Sequence, residues 1–233
     1  MNPILVALDV DSAARALATA DTLRGHVGGV KVGHQLFTTE GPPLVRELVG
    51  RGNRVFLDLK FHDIPNTVAG AVRAASALGV WMLNVHASGG SKMMQAARQA
   101  ADEAADGVGQ RPLLIGVTVL TSLDEAALEH LGVTRPMALQ VQMLAAMAQD
   151  AGLDGVVASP HEIAAIRTRC GPDFLIVTPG IRSGPARPGD DQARTMSAAE
   201  AVAAGANYVV IGRPLLQAGD PQAAAREIAG TLI

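Results

Sequence analysis

Short β-branched apolar runs alternate with Ala- and Leu-rich segments along the whole chain. The apolar runs cover residues 4–10, 29–33, 54–60, 80–87, 113–120, 155–159, 175–180 and 208–212. The segments between them repeat apolar residues at helical spacing, as in "SAARALATADTLRG" and "MALQVQMLAAMAQDAG". Strands that are apolar at nearly every position are typical of a parallel sheet covered by helices. The pattern therefore predicts an α/β fold built from eight strand–helix repeats.

Two α/β architectures are compatible with this alternation. A doubly wound open sheet is one, and a single (β/α)8 TIM barrel spanning residues 1–233 is the other. The count of eight repeats, without any linker-like segment between them, favours the barrel. The first apolar run is not followed by a G-x-G-x-x-G turn, which lowers the case for the open sheet. After the last run, Asp220 is predicted to cap a final helix that has Pro221 in its first turn.

Polar residues within the apolar runs collect at the carboxyl ends of the predicted strands. The carboxyl-end face of a barrel is where enzymes of this architecture carry their catalytic groups. The clustering therefore predicts an enzyme. The residues concerned are Asp9, Lys31, Asp58, Lys60, Asn84, His86, Thr118, Ser159, Thr178, Gly212 and Arg213.

The third run, "RVFLDLK", carries an aspartate and a lysine two residues apart. Because a strand alternates its faces, Asp58 and Lys60 point the same way, while Leu57 and Leu59 point toward the helices. The two charges are therefore predicted to lie in the barrel mouth, where an ion pair could be a purely structural plug. Lys31, at an inward position of the neighbouring strand, adds a charge that a structural pair does not need. Oriented charges in a dry site suit a catalyst that stabilises a charged transition state.

Asp63 follows the third strand and has two interpretations. It could cap the helix predicted to start near Pro65. Alternatively, it could bring a second carboxylate to the charged cluster, so that two lysines and two aspartates alternate in sign.

The opposite end of the predicted site suits a phosphate group. "TPGIR" follows the seventh strand and "IGRP" follows the eighth, where barrel enzymes frequently bind phosphate. Backbone N–H groups near Gly212 and the guanidinium of Arg213 suit a dianion. The Gly- and Pro-rich segment 182–192 is either a passive connector or a lid. As a lid, it would present Arg182 and Gln192 to the phosphate.

Composition narrows the classes of partner and the compartment. A net charge of −3 and an aromatic content of 3% disfavour nucleic-acid binding. No apolar stretch approaches the roughly 20 residues of a membrane span, and the N-terminal run, which stops at Asp9, is too short for a signal peptide. The single cysteine, Cys170, allows no intrachain disulfide and is interpreted as a buried apolar residue. We therefore expect a cytoplasmic protein with no membrane or nucleic-acid partner.

His34, His62 and His86 do not have the spacing of a metal site, so hydrogen-bonded structural roles are expected for them. No metal site is predicted.

Four motifs together point to a known family. "DLKFHDIPNT" (58–67), "KVG" (31–33), "PGIR" (179–182) and "IGRP" (211–214) occur in one order along the chain. Together they resemble the orotidine 5′-phosphate decarboxylases, of the bacterial branch. The resemblance implies conversion of orotidine 5′-monophosphate to UMP and CO2, the last step of de novo pyrimidine nucleotide synthesis, without metal or organic cofactor.

The resemblance also implies roles for individual residues. Lys60 would donate a proton to C6 of the pyrimidine. Residues of one subunit would reach into the site of its partner, so that the active unit is a homodimer. By group, the residues are the charged tetrad Lys31, Asp58, Lys60 and Asp63; the cross-subunit residues Asp63, Ile64 and Thr67; the ribose contacts Asp9 and Lys31; the pyrimidine contact Thr121; and the phosphate contacts Arg182, Gln192, Gly212 and Arg213.

Two other functions remain open. Mg²⁺-dependent barrel enzymes, of the 3-keto-gulonate-6-phosphate decarboxylase or hexulose-6-phosphate synthase type, share a D-x-K-x-x-D core. Lys31 and the "FHDIPNT" continuation argue against them. A non-catalytic sensor of phosphorylated ligands would need the phosphate contacts but not four alternating charges at the other end of the site.

Overall fold

The computed structural model describes residues 2–181 and 196–232, and its strands form a closed barrel in the order β1 to β8. All neighbouring strands are parallel, and β8 closes the barrel against β1. The closed sheet confirms the predicted barrel and excludes the open sheet. The strands are β1 (Ile4–Ala7), β2 (Gly29–Val32), β3 (Val55–Phe61), β4 (Met82–His86), β5 (Leu113–Val117), β6 (Gly155–Val157), β7 (Leu175–Thr178) and β8 (Tyr208–Ile211).

Helices follow the strands and surround the barrel, and some strands are followed by two helices. They are α1 (Ala13–Thr22), α2 (His34–Gly50, interrupted at Gly41), α3 (Pro65–Ser76), α4 (Ser91–Val108), α5 (Glu125–His130), α6 (Met137–Asp150), α7 (Ile163–Cys170), α8 (Ala198–Ala203), α9 (Arg213–Leu216) and α10 (Pro221–Gly230). Asp220 accepts a hydrogen bond from the N–H of Ala223, which confirms the predicted cap of α10. No described helix combines the length and the apolarity needed to span a bilayer.

Each predicted run contains a strand, but most strands end earlier than the apolar pattern does. β1 ends at Ala7 and β5 at Val117, whereas the apolar runs continue to residues 10 and 120. The remaining residues turn away from the sheet into the loops that lead to the helices. Apolarity persists there because Val10 and Val119 are still buried, although they no longer pair with a neighbouring strand.

Alternate residues of β3 face two separate apolar layers. Phe56 packs inside the barrel with Leu5, Met82 and other residues, and Leu57 packs outside it against the helices. Asp58 has the same parity as Phe56 and therefore points into the barrel, as predicted. Because side chains fill the barrel interior, the polar groups of β3 are confined to its carboxyl-end mouth.

An ion-pair network at the opposite, amino-terminal face is independent of this mouth. Asp154, directly before β6, accepts two hydrogen bonds from Arg111, both at 2.7 Å, and one from the N–H of Leu114 at 2.8 Å. Arg98 of α4 lies 3.2 Å from the same carboxylate. Burial alone raises the pKa of Asp154, but the bonds from Arg111 and Leu114 outweigh it, so the pKa lies below its ordinary value.

We expect Asp154→Asn to lower the free energy of unfolding by about 2 kcal/mol, because it leaves partly buried guanidinium groups without their counter-charge. Activity per folded molecule should not change. A carboxylate with a depressed folded-state pKa stabilises the fold above its ordinary pKa of about 4 and loses that contribution as the pH falls through the folded value. The difference in the free energy of unfolding between the unmodified protein and Asp154→Asn should therefore become smaller as the pH is lowered.

Urea unfolding followed by the fluorescence of Trp81, the single tryptophan, measures this effect. Asp102→Asn is the matched control, since Asp102 contacts Arg98 and Arg111 but is half exposed. An equal loss of stability in both variants would contradict a special role for Asp154.

Candidate active site

The carboxylate of Asp58 is the centre of the polar cluster in the barrel mouth. Its Oδ1 accepts hydrogen bonds from Lys60 Nζ and from Asn84 Nδ2, both at 2.7 Å. Its Oδ2 lies 3.4 Å from Lys31 Nζ. Asp58 is only 9% exposed, so the carboxylate is surrounded by protein groups of complementary charge.

These neighbours determine the charge state of Asp58. Burial alone raises the pKa of the carboxyl group, because a low dielectric disfavours the charged form. The charges of Lys31 and Lys60, and the hydrogen bonds from Lys60 and Asn84, outweigh burial and hold the pKa below its ordinary value. Asp58 is therefore ionised at neutral pH, and its negative charge lies beside the side-chain nitrogens of both lysines.

A second carboxylate, that of Asp9, lies on the far side of Lys31. The distance from Lys31 Nζ to Asp9 Oδ1 is 3.6 Å. Two glycines leave room for this arrangement. A Cβ atom at Gly33 would lie 3.1 Å from Lys31 Nζ, and one at Gly212 would lie 3.4 Å from Asp9 Oδ2. Asp9, the predicted ribose contact, is thus next to Gly212, a predicted phosphate contact.

The backbone of Lys60 departs from regular strand geometry. Lys60 has φ 49°, and no other described non-glycine residue has a positive φ. The pairing of β3 with β4 shifts register between Leu57 and Phe61, which is typical of a β-bulge. A bulge re-aims the side chain that it carries, and here the ammonium group of Lys60 reaches back to Asp58.

The β-bulge takes backbone polar groups of β3 out of the regular strand pairing. Side chains from the two neighbouring strand regions contact these groups instead. The N–H of Lys60 donates to Asn84 Oδ1 at 2.8 Å. The carbonyl oxygen of Leu59 lies 3.0 Å from Nε2 of His34, at the start of α2. The sequence placed Asn84 at a strand end but did not assign it to the site. Its only sequence signal was a polar residue at an inward position of an apolar strand.

The histidines near the mouth have structural contacts. The rings of His62 and His86 lie 5.4 Å apart. Burial, followed by the nearby charges of His62 and Lys60, lowers the pKa of His86, so its imidazole is neutral at neutral pH. Among residues 2–181 and 196–232, no group of three or more His, Cys, Asp or Glu side chains is arranged to hold a metal ion.

Cys170 lies at the end of α7 and is buried. Burial raises the pKa of its thiol above the ordinary value. It therefore has the environment of an unreactive packing residue.

Asp63, Ile64 and Thr67 lie between the end of β3 and the first turn of α3. All three are exposed, and Ile64 is 68% exposed. Asp63 forms no ion pair with any described residue, and its carboxylate accepts only a hydrogen bond from the adjacent N–H of Ile64. It does not cap α3, which begins at Pro65 without a side-chain cap, so that interpretation was wrong. Within one chain, the second carboxylate beside Lys31 is Asp9.

The remaining predicted contacts surround the mouth. Thr121 is half-buried in the turn that follows β5. Gly212 directly follows β8, and Arg213 begins α9 and is exposed. Arg182, Gln192 and the predicted lid (182–192) lie outside the described residues.

Known proteins resemble the chain over nearly its whole length. A protein named orotidine 5′-phosphate decarboxylase from Alkalilimnicola ehrlichii is 55% identical over 221 residues, covering 95% of this chain and 92% of its own. One of the same name from Dichelobacter nodosus is 52% identical over 231 residues, covering 99% of both chains.

Solved structures share the fold. The crystal structure of orotidine 5′-phosphate decarboxylase from Lactobacillus acidophilus has a TM-score of 0.88 and 37% identity, covering 100% of this chain and 99% of its own. That of an uncharacterized conserved protein from Geobacillus kaustophilus has a TM-score of 0.86 and 40% identity, covering 99% and 100%. The sequence model of one family matches residues 2–228. The chain therefore belongs to the orotidine 5′-phosphate decarboxylase / HUMPS family.

Proposed function

We propose that this chain is a carboxy-lyase that converts orotidine 5′-monophosphate to UMP and CO2, the last step of de novo pyrimidine nucleotide synthesis. The observation that carries the proposal is the buried carboxylate of Asp58, with the ammonium groups of Lys31 and Lys60 beside it in the barrel mouth. The names of relatives that are 52–55% identical support the same substrate and product.

The chemistry requires stabilisation of a carbanion. When the bond between C6 and the carboxylate breaks, its electron pair stays on C6 in an sp² orbital that the ring does not delocalise. An ammonium group close to C6 stabilises this charge and then transfers a proton to it. We assign this role to Lys60. After the proton transfer its side chain is a neutral amine, which regains a proton from solvent.

Asp58 has two parts in this mechanism. Its carboxylate, 2.7 Å from Lys60 Nζ, holds the side chain of Lys60 in place for the step. We also place the substrate carboxylate beside Asp58, so that repulsion between the two anions is relieved as CO2 leaves. The pair of lysines offsets the cost of burying this carboxylate before substrate binds.

Binding groups away from C6 align the ring over Lys60. Asp9 and Lys31 would hold the ribose hydroxyls, Thr121 would face the pyrimidine, and Gly212 and Arg213 would hold the phosphate together with Arg182 and Gln192. The proximity of Asp9 to Gly212 supports neighbouring ribose and phosphate subsites. Binding energy from these remote contacts can be used to close the lid (182–192) and to position the reacting carbon.

We further propose a homodimer in which Asp63, Ile64 and Thr67 complete the site of the partner subunit. Their exposure in the single chain supports this arrangement, since an apolar side chain that is 68% exposed, such as Ile64, is suited to an interface. Asp63 would then add a second carboxylate next to Lys60 of the partner. We expect the enzyme to act in the cytoplasm, where a reduced free cysteine is stable.

The family also includes HUMPS-type enzymes, so the reaction needs a direct test. We expect purified protein to convert orotidine 5′-monophosphate to UMP at an unchanged rate after treatment with EDTA. The loss of orotidine absorbance measures turnover, and chromatography identifies UMP.

Three results would contradict the proposal. Loss of turnover with EDTA and recovery with Mg²⁺ would indicate the metal-dependent relatives. Turnover of a sugar phosphate in place of the nucleotide would do the same. Tight UMP binding without any decarboxylation would indicate a ligand sensor.

A further inference from the structure

Asn84 is a fully buried amide at the centre of the charged mouth. It lies on β4 with 0% exposure, at the same parity as Met82 inside the barrel. Its Oδ1 accepts the N–H of Lys60 at 2.8 Å, and its Nδ2 donates to Asp58 Oδ1 at 2.7 Å. The side chain of Asn84 therefore bridges the backbone of Lys60 and the carboxylate of Asp58.

Only one orientation of the amide satisfies both partners. The backbone N–H of Lys60 can only donate, so it must face the amide oxygen. Asp58, whose pKa is lowered, is ionised and can only accept, so it must face the amide NH₂. A side chain that replaces Asn84 must therefore carry one hydrogen-bond acceptor and one hydrogen-bond donor on the same terminal carbon atom. Among substitutions of similar size, a protonated aspartic acid does so, whereas an ionised aspartate has no donor.

The bridge acts at a strained position. Lys60 has φ 49°, a backbone region that residues with a Cβ atom adopt only when surrounding contacts hold them there. The register shift takes its N–H out of the regular pairing with β4, and Asn84 accepts it instead. On the other side of the peptide, His34 contacts the carbonyl oxygen of Leu59.

We propose that Asn84 is a positioning residue for decarboxylation, which fixes the left-handed backbone of Lys60 and the orientation of the Asp58 carboxylate together. This inference rests on the proposed function of the site. Without the bridge, the Lys60 backbone can relax toward an extended conformation, and the ammonium group leaves the place where it meets C6. Substrate affinity, which depends on the distant ribose and phosphate contacts, is affected much less.

Kinetics of Asn84→Ala separate positioning from binding. We expect kcat to fall by about 10²-fold, the effect of displacing a reacting group by about 1 Å, while the Kd for UMP changes by less than about threefold. Circular dichroism checks that the barrel is folded. Ser76→Ala is the matched control, because Ser76 is also buried (1% exposed) but its Oγ donates only to the carbonyl of Val72 on α3.

Asn84→Asp adds a pH-dependent readout that a merely structural role would not produce. The new carboxyl group would face Asp58 and Lys60 of β3, with Lys31 of β2 on the far side of Asp58 and His86 two residues further along β4; its partner on β5 is the apolar Ile115. Burial and the negative charge of Asp58 favour its protonated form. Protonated, it restores both hydrogen bonds; ionised, it repels Asp58.

The ratio of kcat for Asn84→Asp to kcat for the unmodified protein should therefore rise as the pH is lowered. The Ser76→Ala ratio should stay flat. A kcat for folded Asn84→Ala within twofold of the unmodified protein would overturn the proposal. If that variant does not fold, a pH-independent ratio for Asn84→Asp overturns it instead. Absence of turnover in the unmodified protein would mean that the proposed function has failed, which is a separate result.

Discussion

Lys60→Ala is expected to lose at least about 10⁴-fold in kcat, because one group supplies both the charge that stabilises the carbanion and the proton that ends the reaction. No neighbouring group replaces it, since Lys31 is held between Asp58 and Asp9 at 3.4 and 3.6 Å. The barrel should remain folded. Asp58 keeps Lys31 and Asn84 as partners, and the alanine carries no ammonium group to bury.

The measurement is the loss of orotidine 5′-monophosphate absorbance, with circular dichroism and UMP affinity as tests of folding and of the binding site. Lys92→Ala is the matched control, since Lys92 is an exposed lysine of α4 that forms no ion pair among the described residues. Near-normal turnover by folded Lys60→Ala would remove Lys60 from the mechanism. If Lys60→Ala loses UMP affinity as well as turnover, the substitution has damaged the binding site and has not only removed a proton donor.

Mixed dimers should recover activity from two inactive variants. If Asp63 completes the site of the partner subunit, Asp63→Asn and Lys60→Ala each disable both sites of their own homodimer. In a mixed dimer, both defects fall in one site and the other site is intact. Random assortment places half of the chains in mixed dimers with one intact site in each, so about 25% of unmodified activity should return.

The control pairs Lys60→Ala with Asp58→Asn. Both residues belong to the same chain's cluster, 2.7 Å apart, so every site of their mixed dimer contains one defect and no activity should return. Recovery in both mixtures, or in neither, would contradict the cross-subunit assignment of Asp63. Light scattering of the unmodified protein should give twice the mass of the 24.0 kDa chain.

Local periodicity predicted which way the residues of β3 point as far as the β-bulge at Lys60. The period of two in β3 separated Asp58 and Lys60 from Leu57 and Leu59, and the structure has the leucines against the helices. The parallel strands brought Lys31 to the same end, because neighbouring strands of a barrel share their carboxyl face. The ends of the strands were predicted less well, since buried apolar residues continue into the loops beyond β1 and β5.

The sequence by itself determined the barrel and a charged mouth that contains Lys31, Asp58 and Lys60, because strand alternation and strand order are local and repeated properties of the chain. Only the tertiary structure decided that Asn84 joins Lys60 to Asp58 and that Asp9, not Asp63, is the second carboxylate near Lys31 within one chain. The reason is that a β-bulge and a left-handed lysine arise from contacts between strands 24 residues apart, which no local pattern encodes.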